Sequence, residues 1–374
     1  MAITLDGSLG ITSPLETVTG QFSSASTMGF KNRIINGAMV IDQRNAGASV
    51  AVTYSNPYTV DRWQSIVSLL ASKFTAQQNA GSVTPPIGFS NYLGCTSSSA
   101  YSVLTSDYFT IQQKIEGFNT SDLAWGTANA KTVTLSFQVY SSLIGTFGGA
   151  FGNSINTRAY PFTYSIPVAN TWTTISITIA GDTSGTWVGA TNGVGIKLTI
   201  SLGMGATYSA TAGAWATGEY YSATGATSVV GTSGATFYIT GVQLEKGSTA
   251  TSFDYRPYGT ELSLCQRYFQ KIGGGLNGSP AYTVFSILTY EASNTAWGTV
   301  PLKVTMRTQP TNAYSGTYTT NYGTQGTLIS DTNQTGPDNG VVGWTTGSSG
   351  TTGYSTYLRA SNSTAAFISF SAEL

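Results

Sequence analysis

Apolar and polar residues alternate at period two along many segments of this chain. In KTVTLSFQVYSS, Val133, Leu135, Phe137 and Val139 fall on one side, with Thr132, Thr134, Ser136 and Gln138 on the other. That is the pattern of a strand in a sheet with one wet face. TWTTISITIAGD aligns Ile175, Ile177 and Ile179, and GIKLTISLG aligns Ile196, Leu198, Ile200 and Leu202. In ATFYITGVQLEKG the phase set by Phe237 and Ile239 slips at Gly241 and resumes with Val242 and Leu244, which predicts a β-bulge. Further on, TVPLKVTMR puts Val300, Leu302, Val304 and Met306 in phase. FISFSAEL does the same with Ile368, Phe370, Ala372 and Leu374, a strand expected to reach the last residue, so that trimming it damages the second domain. Short strands between Gly-rich turns predict an all-β chain of the jelly-roll or β-sandwich kind.

One segment has the helical period. In TELSLCQRYFQKI, Thr260 is placed to act as N-cap, Glu261 suits the positive helix start, and Leu262, Cys265, Phe269 and Ile272 share a face. Gly273, Gly274 and Gly275 close it, and Cys265 takes a packing role. The organisation expected is an extended N-terminal arm at 1–30, a jelly-roll domain at 31–258, a helix and Gly linker at 259–275, and a smaller β domain at 276–374. Residues 1–30 are scattered Ser, Thr and Gly with Pro14, and read either as a disordered terminus or as an anchor that orders on docking. The Gly-, Ser-, Thr-, Asn- and Tyr-rich stretch 312–362 reads as long surface loops or a flat polar sheet.

Composition narrows the function. Charged residues make up 9% of the 374, with 16 Lys plus Arg against 16 Asp plus Glu. A nucleic-acid partner needs a concentrated basic surface, and an anionic membrane is disfavoured for the same reason. No run approaches the ~20 apolar residues of a membrane span, and MAITLDGSLGITSP lacks the blocks of a secretory signal. Cys95 and Cys265 read as separate thiols. There is no histidine, which removes Ser-His-Asp and Cys-His catalysis and imidazole zinc sites. Two carboxylates would still serve a glycoside hydrolase, but Asp42, Asp61, Asp107, Glu116 and Asp122 lie on or beside expected strands and read as structural. The glycine clusters lack a P-loop lysine, and no cofactor is expected. Glu245 and Asp254 offer oxygen ligands to calcium only weakly; the simpler reading is two solvated acids.

Aromatic residues reach 12%, and many tyrosines sit in polar, Gly-rich segments. Exposed rings stack on sugar faces. The candidates for such a surface are Trp215, Tyr220 and Tyr221 in one loop, and Tyr314, Tyr318, Tyr322, Trp344, Tyr354 and Tyr357 in the C-terminal loops. The competing reading packs these rings on neighbouring loops or at a subunit interface. Trp63, Trp125 and Trp172 adjoin expected strands and read as core.

NRIINGAMVIDQRNAG at 32–47, followed by YTVDRWQ, resembles the start of tail-fibre-like structural proteins of phages and prophages, whose first β domain is similar to a jelly-roll carbohydrate-binding module. The likeness continues in FTIQQKIEG and VTLSFQVYSSLIGTFG, and most specifically in FYITGVQLEKGSTATSFDYRPYGTELSLCQRYFQK, which looks like the family's junction between modules. It implies a non-enzymatic virion protein on the tail or head surface, assembled in the host cytoplasm. A tail fibre or receptor-binding protein is the first reading. Its partners would be other virion proteins through the N-terminal arm and a host surface glycan, as a homotrimer or other symmetric homo-oligomer, although no heptad segment is visible. A capsid-decorating protein or head fibre is the alternative, and a tail-associated glycan depolymerase a further one. Within the motif, Asn36-Gly37 is expected to form a turn or bulge at the head of the first strand, with Ile34, Ile35, Met39 and Ile41 supplying apolar surface and Trp63 lying in the core. Arg33, Asp42, Arg44, Asp61 and Arg62 are expected to form ion pairs that fix that strand and a neighbouring loop.

Overall fold

The computed structural model describes residues 31–274, 281–320, 335–345 and 350–374 in full, and the backbone alone of the strands Thr4–Asp6, Gly10–Ser13, Glu16–Thr17 and Thr327–Ser330. The chain is all-β, a jelly-roll-like β-sandwich followed by a second set of sheets. Among the described residues, no helix is long and apolar enough to cross a membrane.

Two antiparallel sheets form the sandwich. One has six strands in the order Thr173–Ile179, Val133–Ser141, Thr236–Lys246, Leu93–Ser97, Phe74–Gln78 and Val50–Ala51. The other has seven, in the order Ala216–Thr217, Arg158–Ile166, Gly145–Gly152, Val194–Met204, Tyr108–Glu116, Trp63–Val67 and Tyr58–Val60. The period-two residues explain why they pack. Leu135 stands opposite Ile177 on one side and Leu244 on the other, and all join Phe109, Ile111, Leu198 and Ile200 of the facing sheet in one core. The bulge falls where the phase slips: Ser136 pairs with Gln243 but Gln138 with Thr240, so Gly241 and Val242 stand against Phe137 alone. Gly241 has φ +63°, and a Cβ there would lie 2.6 Å from the Phe89 ring, so only glycine fits.

A second core joins Leu288, Tyr290, Trp344, Leu358 and Phe370. Its sheets are a three-stranded one, ordered Phe269–Gly273, Phe367–Ser371 and Thr311–Ser315, and a six-stranded one, ordered Tyr318–Thr319, Ser355–Ala360, Val284–Ala292, Thr295–Pro301, Asn339–Thr345 and Thr327–Ser330. The polar stretch 312–362 is thus largely sheet where it is described. TVPLKVTMR is only partly strand: the strand ends at Pro301, yet Val300 and Met306 are both buried. Irregular chain preserves the inward phase without a ladder. The final strand stops at Ser371, and beyond it the Ala372 N–H donates to the Tyr268 carbonyl at 2.8 Å.

Three further expectations are corrected. The helix runs Tyr258–Gln266, with Pro257 rather than Thr260 at its N-cap, and Phe269–Gly273 is a strand. That stretch fits both periods, and pairing with Phe367–Ser371 decides between them by satisfying its backbone. Residues 1–30 are not simply an extended arm, since Thr4–Asp6, Gly10–Ser13 and Glu16–Thr17 pair as an antiparallel sheet. The rest of that segment lies outside the described residues.

The third correction concerns the 32–47 motif, which contains no strand, although Ile34, Ile35, Met39 and Ile41 are all buried. Side-chain amides replace the ladder. Gln113 both donates to the Ile35 carbonyl and accepts its N–H, each at 2.9 Å. Asn36, at φ +57°, donates to the Ile41 and Asp61 carbonyls and accepts the Ile41 N–H, while its own carbonyl receives the Trp63 indole N–H at 3.1 Å. Gly37 permits a close approach: its carbonyl accepts the Val242 N–H at 3.0 Å, and a Cβ would sit 2.1 Å from the Val242 oxygen.

The motif's charges reach further than the expected local pairs. Arg44 does bind Asp61, at 3.1 Å, but Arg33 pairs with Asp122 at 2.7 Å and Arg62 pairs with Glu373. Asp42 pairs with no arginine among the described residues and instead accepts the Asn45 and Gly47 N–H groups of a turn. Glu373 also binds Arg44, at 2.9 Å, and the Arg62 guanidinium lies 3.5 Å from the Tyr268 ring centroid. Ile35, Ile41, Cys265 and Tyr268 form a small apolar cluster beside this network.

Candidate functional site

The strands Tyr108–Glu116 and Val194–Met204 lie side by side in the seven-stranded sheet. Phe109, Ile111 and Ile115 point into the sandwich, so Thr110, Gln112 and Lys114 point out of it. By the same alternation Ile196, Leu198 and Ile200 point inward, and Lys197 and Thr199 outward. The register places Gln112 opposite Thr199 and Lys114 opposite Lys197. These strands floor a groove of about 170 Å³, walled by Ile66 and Tyr221.

The floor is polar and ordered. Gln112 Nε2 donates to Thr199 Oγ1 at 2.9 Å, and Thr110 Oγ1 to the Ile66 carbonyl at 3.0 Å. Lys197 Nζ donates to the Ser154 carbonyl at 2.9 Å and to Asn156 Oδ1. Lys114 Nζ donates to the Leu374 oxygen at 2.7 Å. Burial, reinforced by the Lys114 charge, pulls Lys197 down to about 8. Lys114 is lowered as well, first by burial and then by Arg62.

The tyrosine wall has its own support. Tyr221 stacks on Tyr208 at 5.5 Å between centroids and meets the Tyr108 edge at 5.6 Å. Its hydroxyl donates to Glu219 Oε1, which also receives Asn156 Nδ2 at 2.7 Å. Burial, then that hydrogen bond, raises the Tyr221 hydroxyl well above its usual range. Tyr220 lines a small adjoining recess with Tyr221, Glu219 and Lys197.

A second cleft, of about 270 Å³, lies beside Trp125, Trp187, Val188 and Ile196. Trp125, Trp187 and Trp215 meet edge to face at 4.9 to 5.4 Å, and Tyr160 joins Trp215 at 5.2 Å. All three indole N–H groups are used inside the fold, Trp215 on the Ala180 carbonyl, Trp125 on Lys131 and Trp187 on Asp182 and Ser184. These rings pack on one another first.

The remaining aromatic candidates do not converge. Trp344 and Tyr318 are core residues, 0% and 3% exposed, because their segments are strands whose inner face carries them. Both are therefore corrected from surface to core. Tyr314 and Tyr354 are exposed on the second set of sheets, Tyr357 is half-buried against the Arg359 guanidinium, and Tyr322 lies outside the described residues. Of the tryptophans expected in the core, Trp63 and Trp125 are buried there, whereas Trp172 is half-buried against Tyr92 and Tyr140 at the edge of the sandwich. Glu245 accepts the Thr251 N–H and hydroxyl, and Asp254 sits 3.8 Å from Arg256. Gln112, Lys114, Lys197, Asn156 and Glu219 escaped the sequence reading. A signal for two of them existed: Lys114 and Lys197 occupy the polar phase of strands in a chain with little charge.

No family model matches this chain, and no curated protein matches it. Among solved structures it is similar to the enzymatically active domain of bacteriophage CBA120 tailspike protein 4, at 10% identity over 58% of this chain and 21% of that one, with a TM-score of 0.32. It is also similar to a putative sugar binding protein from Bacteroides thetaiotaomicron, at 12% identity over 58% of this chain and 100% of that one, TM-score 0.34. A family 11 carbohydrate-binding module from Clostridium thermocellum matches at 11% identity over 52% and 95% of the two chains, TM-score 0.27. Overlaps this loose do not bear on function, which has to be read from the groove.

Proposed function

We propose that this chain is a non-enzymatic virion protein of the tail-fibre or receptor-binding type, and that it holds a host surface glycan in the groove on the outer face of the seven-stranded sheet. The observation that carries the binding role is the groove itself. The sheet presents Gln112, Lys114 and Lys197 on its floor beside the Tyr221 ring, with Gln112 held by Thr199 of the adjoining recess. Sugars offer hydroxyls to such donors and acceptors and an apolar ring face to an aromatic wall. Placement on the virion is supported by the resemblance in 32–47 and in the junction segment, and symmetric oligomerisation belongs to the same proposal.

Binding without cleavage is supported by the carboxylates. Glycoside hydrolysis uses two flanking the scissile bond. Among the residues described around the groove and its recess, Glu219 is the one acid, and its Oε1 already receives Tyr221 and Asn156.

The test is to incubate the full chain with host surface polysaccharide and assay both retention and release of reducing ends. Retention without release, lost in Tyr221→Ala, is expected. Release would make the protein a depolymerase. Immunogold labelling of intact virions with antibody against residues 281–374 is expected at the tail periphery, and label over the head would make it a decoration protein.

A further inference from the structure

Lys114 and Lys197 stand directly opposite each other on adjacent strands, both on the groove face. Like charges in that position repel and destabilise a sheet. No Asp or Glu carboxylate lies within ion-pair distance of either amine among the described residues. Lys197 donates to two uncharged groups, and Lys114 to the Leu374 oxygen. Of the nearby acids, Glu219 accepts only from the neutral donors Tyr221 and Asn156 and keeps its charge, but it lies outside ion-pair distance of Lys197, and Glu373 is paired with Arg44 and Arg62. An ammonium has three donors, so Lys114 and Lys197 both retain capacity toward the groove. In a chain with zero net charge and only 9% charged residues, this is a focused positive site without a generally basic surface around it.

We infer that the ligand of this groove is an acidic saccharide whose oxyanion, a carboxylate or a sulfate ester, sits between Lys114 and Lys197. An anion there turns the repulsion between the lysines into two charge-assisted hydrogen bonds. The sugar ring then lies along Tyr221, with its hydroxyls on Gln112. This rests on the groove being the glycan site.

The test measures binding of the full chain by calorimetry to a uronic-acid polysaccharide, to the same polymer after carboxyl reduction, to a sulfated polysaccharide and to a neutral one. At least one acidic polymer is expected to bind. Carboxyl reduction should weaken a uronate at least about tenfold, as should Lys197→Gln or Lys114→Gln for whichever acidic polymer binds, each removing one charge-assisted bond. Lys303→Gln, at an exposed lysine just after the strand Thr295–Pro301, should leave affinity unchanged and controls for net charge. Glutamine can still donate, and each groove variant removes a like-charge contact, so neither should melt well below the native chain and lost binding is separable from lost folding. Preference for uronate or for sulfate distinguishes the two oxyanions. If the neutral or reduced polymer binds as well as the acidic ones while Tyr221→Ala still abolishes binding, the acidic ligand is refuted and the groove survives. If binding survives Tyr221→Ala and both lysine variants, or no polymer binds, the groove and the acidic ligand fall together.

Discussion

Replacing Arg62 with alanine removes the centre of the contact between the 32–62 region and the last residues of the chain. Arg62 is 2% exposed and Glu373 8%, so their ion pair is shielded from water. Removing one partner of a buried pair costs about 3 to 5 kcal/mol, because the other charge stays buried. Arg44 still holds Glu373 at 2.9 Å, which moves the cost toward the lower figure. Against that, the variant loses the guanidinium stacked 3.5 Å from Tyr268, a contact of about 1 to 2 kcal/mol when desolvated, and leaves the Lys114 carbonyl without its 2.6 Å donor. Alanine inherits the φ of +72°, so no backbone strain is relieved. The terms overlap, and about 3 to 5 kcal/mol is the expected total. At about 2 °C per kcal/mol for a large domain, the calorimetric melting transition should fall by about 6 to 10 °C. A double-mutant cycle with Glu373→Gln should show a coupling of at least about 1.5 kcal/mol. A melting temperature within about 1 °C of native, or strictly additive costs, would falsify the assignment of the motif's charge to this junction.

Other outcomes follow from single positions. Gly241→Ala drives a Cβ to within 2.6 Å of the Phe89 ring at φ +63°, and should cost about 2 to 4 kcal/mol; an unchanged melt would mean the bulge is not formed. Trp344→Ala should cost about 3 to 5 kcal/mol as a core deletion and leave glycan binding intact, whereas lost binding in a folded variant would return Trp344 to the ligand site. Burial lifts Asp61 to about 6, above the ~3.9 of an unfolded chain, despite Arg44 and Gln43. The folded chain therefore holds this proton more tightly, so the stability tied to it is complete below pH ~4 and lost as pH rises through about 6. The melting temperature of the native chain minus that of Asp61→Asn should accordingly fall between about pH 4.5 and 7.5, and a flat difference would show that Asp61 titrates in its ordinary range.

The sandwich is legible wherever a strand has one apolar face. Val133 to Val139, Ile196 to Leu202 and the slip at Gly241 all declare themselves by period alone. The 32–47 segment is not legible because its backbone is satisfied by amide side chains, chiefly Gln113 and Asn36, and a distant glutamine leaves no mark on local periodicity. Phe269–Gly273 fits a helix and a strand equally well, and its partner Phe367–Ser371 lies too far along the chain for local pattern to choose. Two of the aromatic candidates, Trp344 and Tyr318, failed for a related reason. Composition marks a tyrosine-rich segment as polar, but Trp344 and Tyr318 sit on strands whose inner face is filled by those very rings.

The groove exposes the same limit, and one of its strands also helps tie the 32–62 region to the last residues of the chain. Lys114 and Lys197 are each visible as an odd charge in a strand, but their meaning depends on the register that sets one opposite the other. That register belongs to the strand Tyr108–Glu116, which also carries the junction. Its Lys114 carbonyl receives Arg62, its Lys114 ammonium reaches the Leu374 oxygen, and its Glu116 binds Arg267 at 2.5 Å and Tyr268. One donor of a groove lysine is thus held by the segment that Glu373 anchors. Loosening that anchor with Arg62→Ala should change how Lys114 is presented, and so weaken the binding of an acidic glycan in a chain that remains folded. On the proposed function, seating of the second set of sheets and loading of the groove are then parts of one electrostatic arrangement.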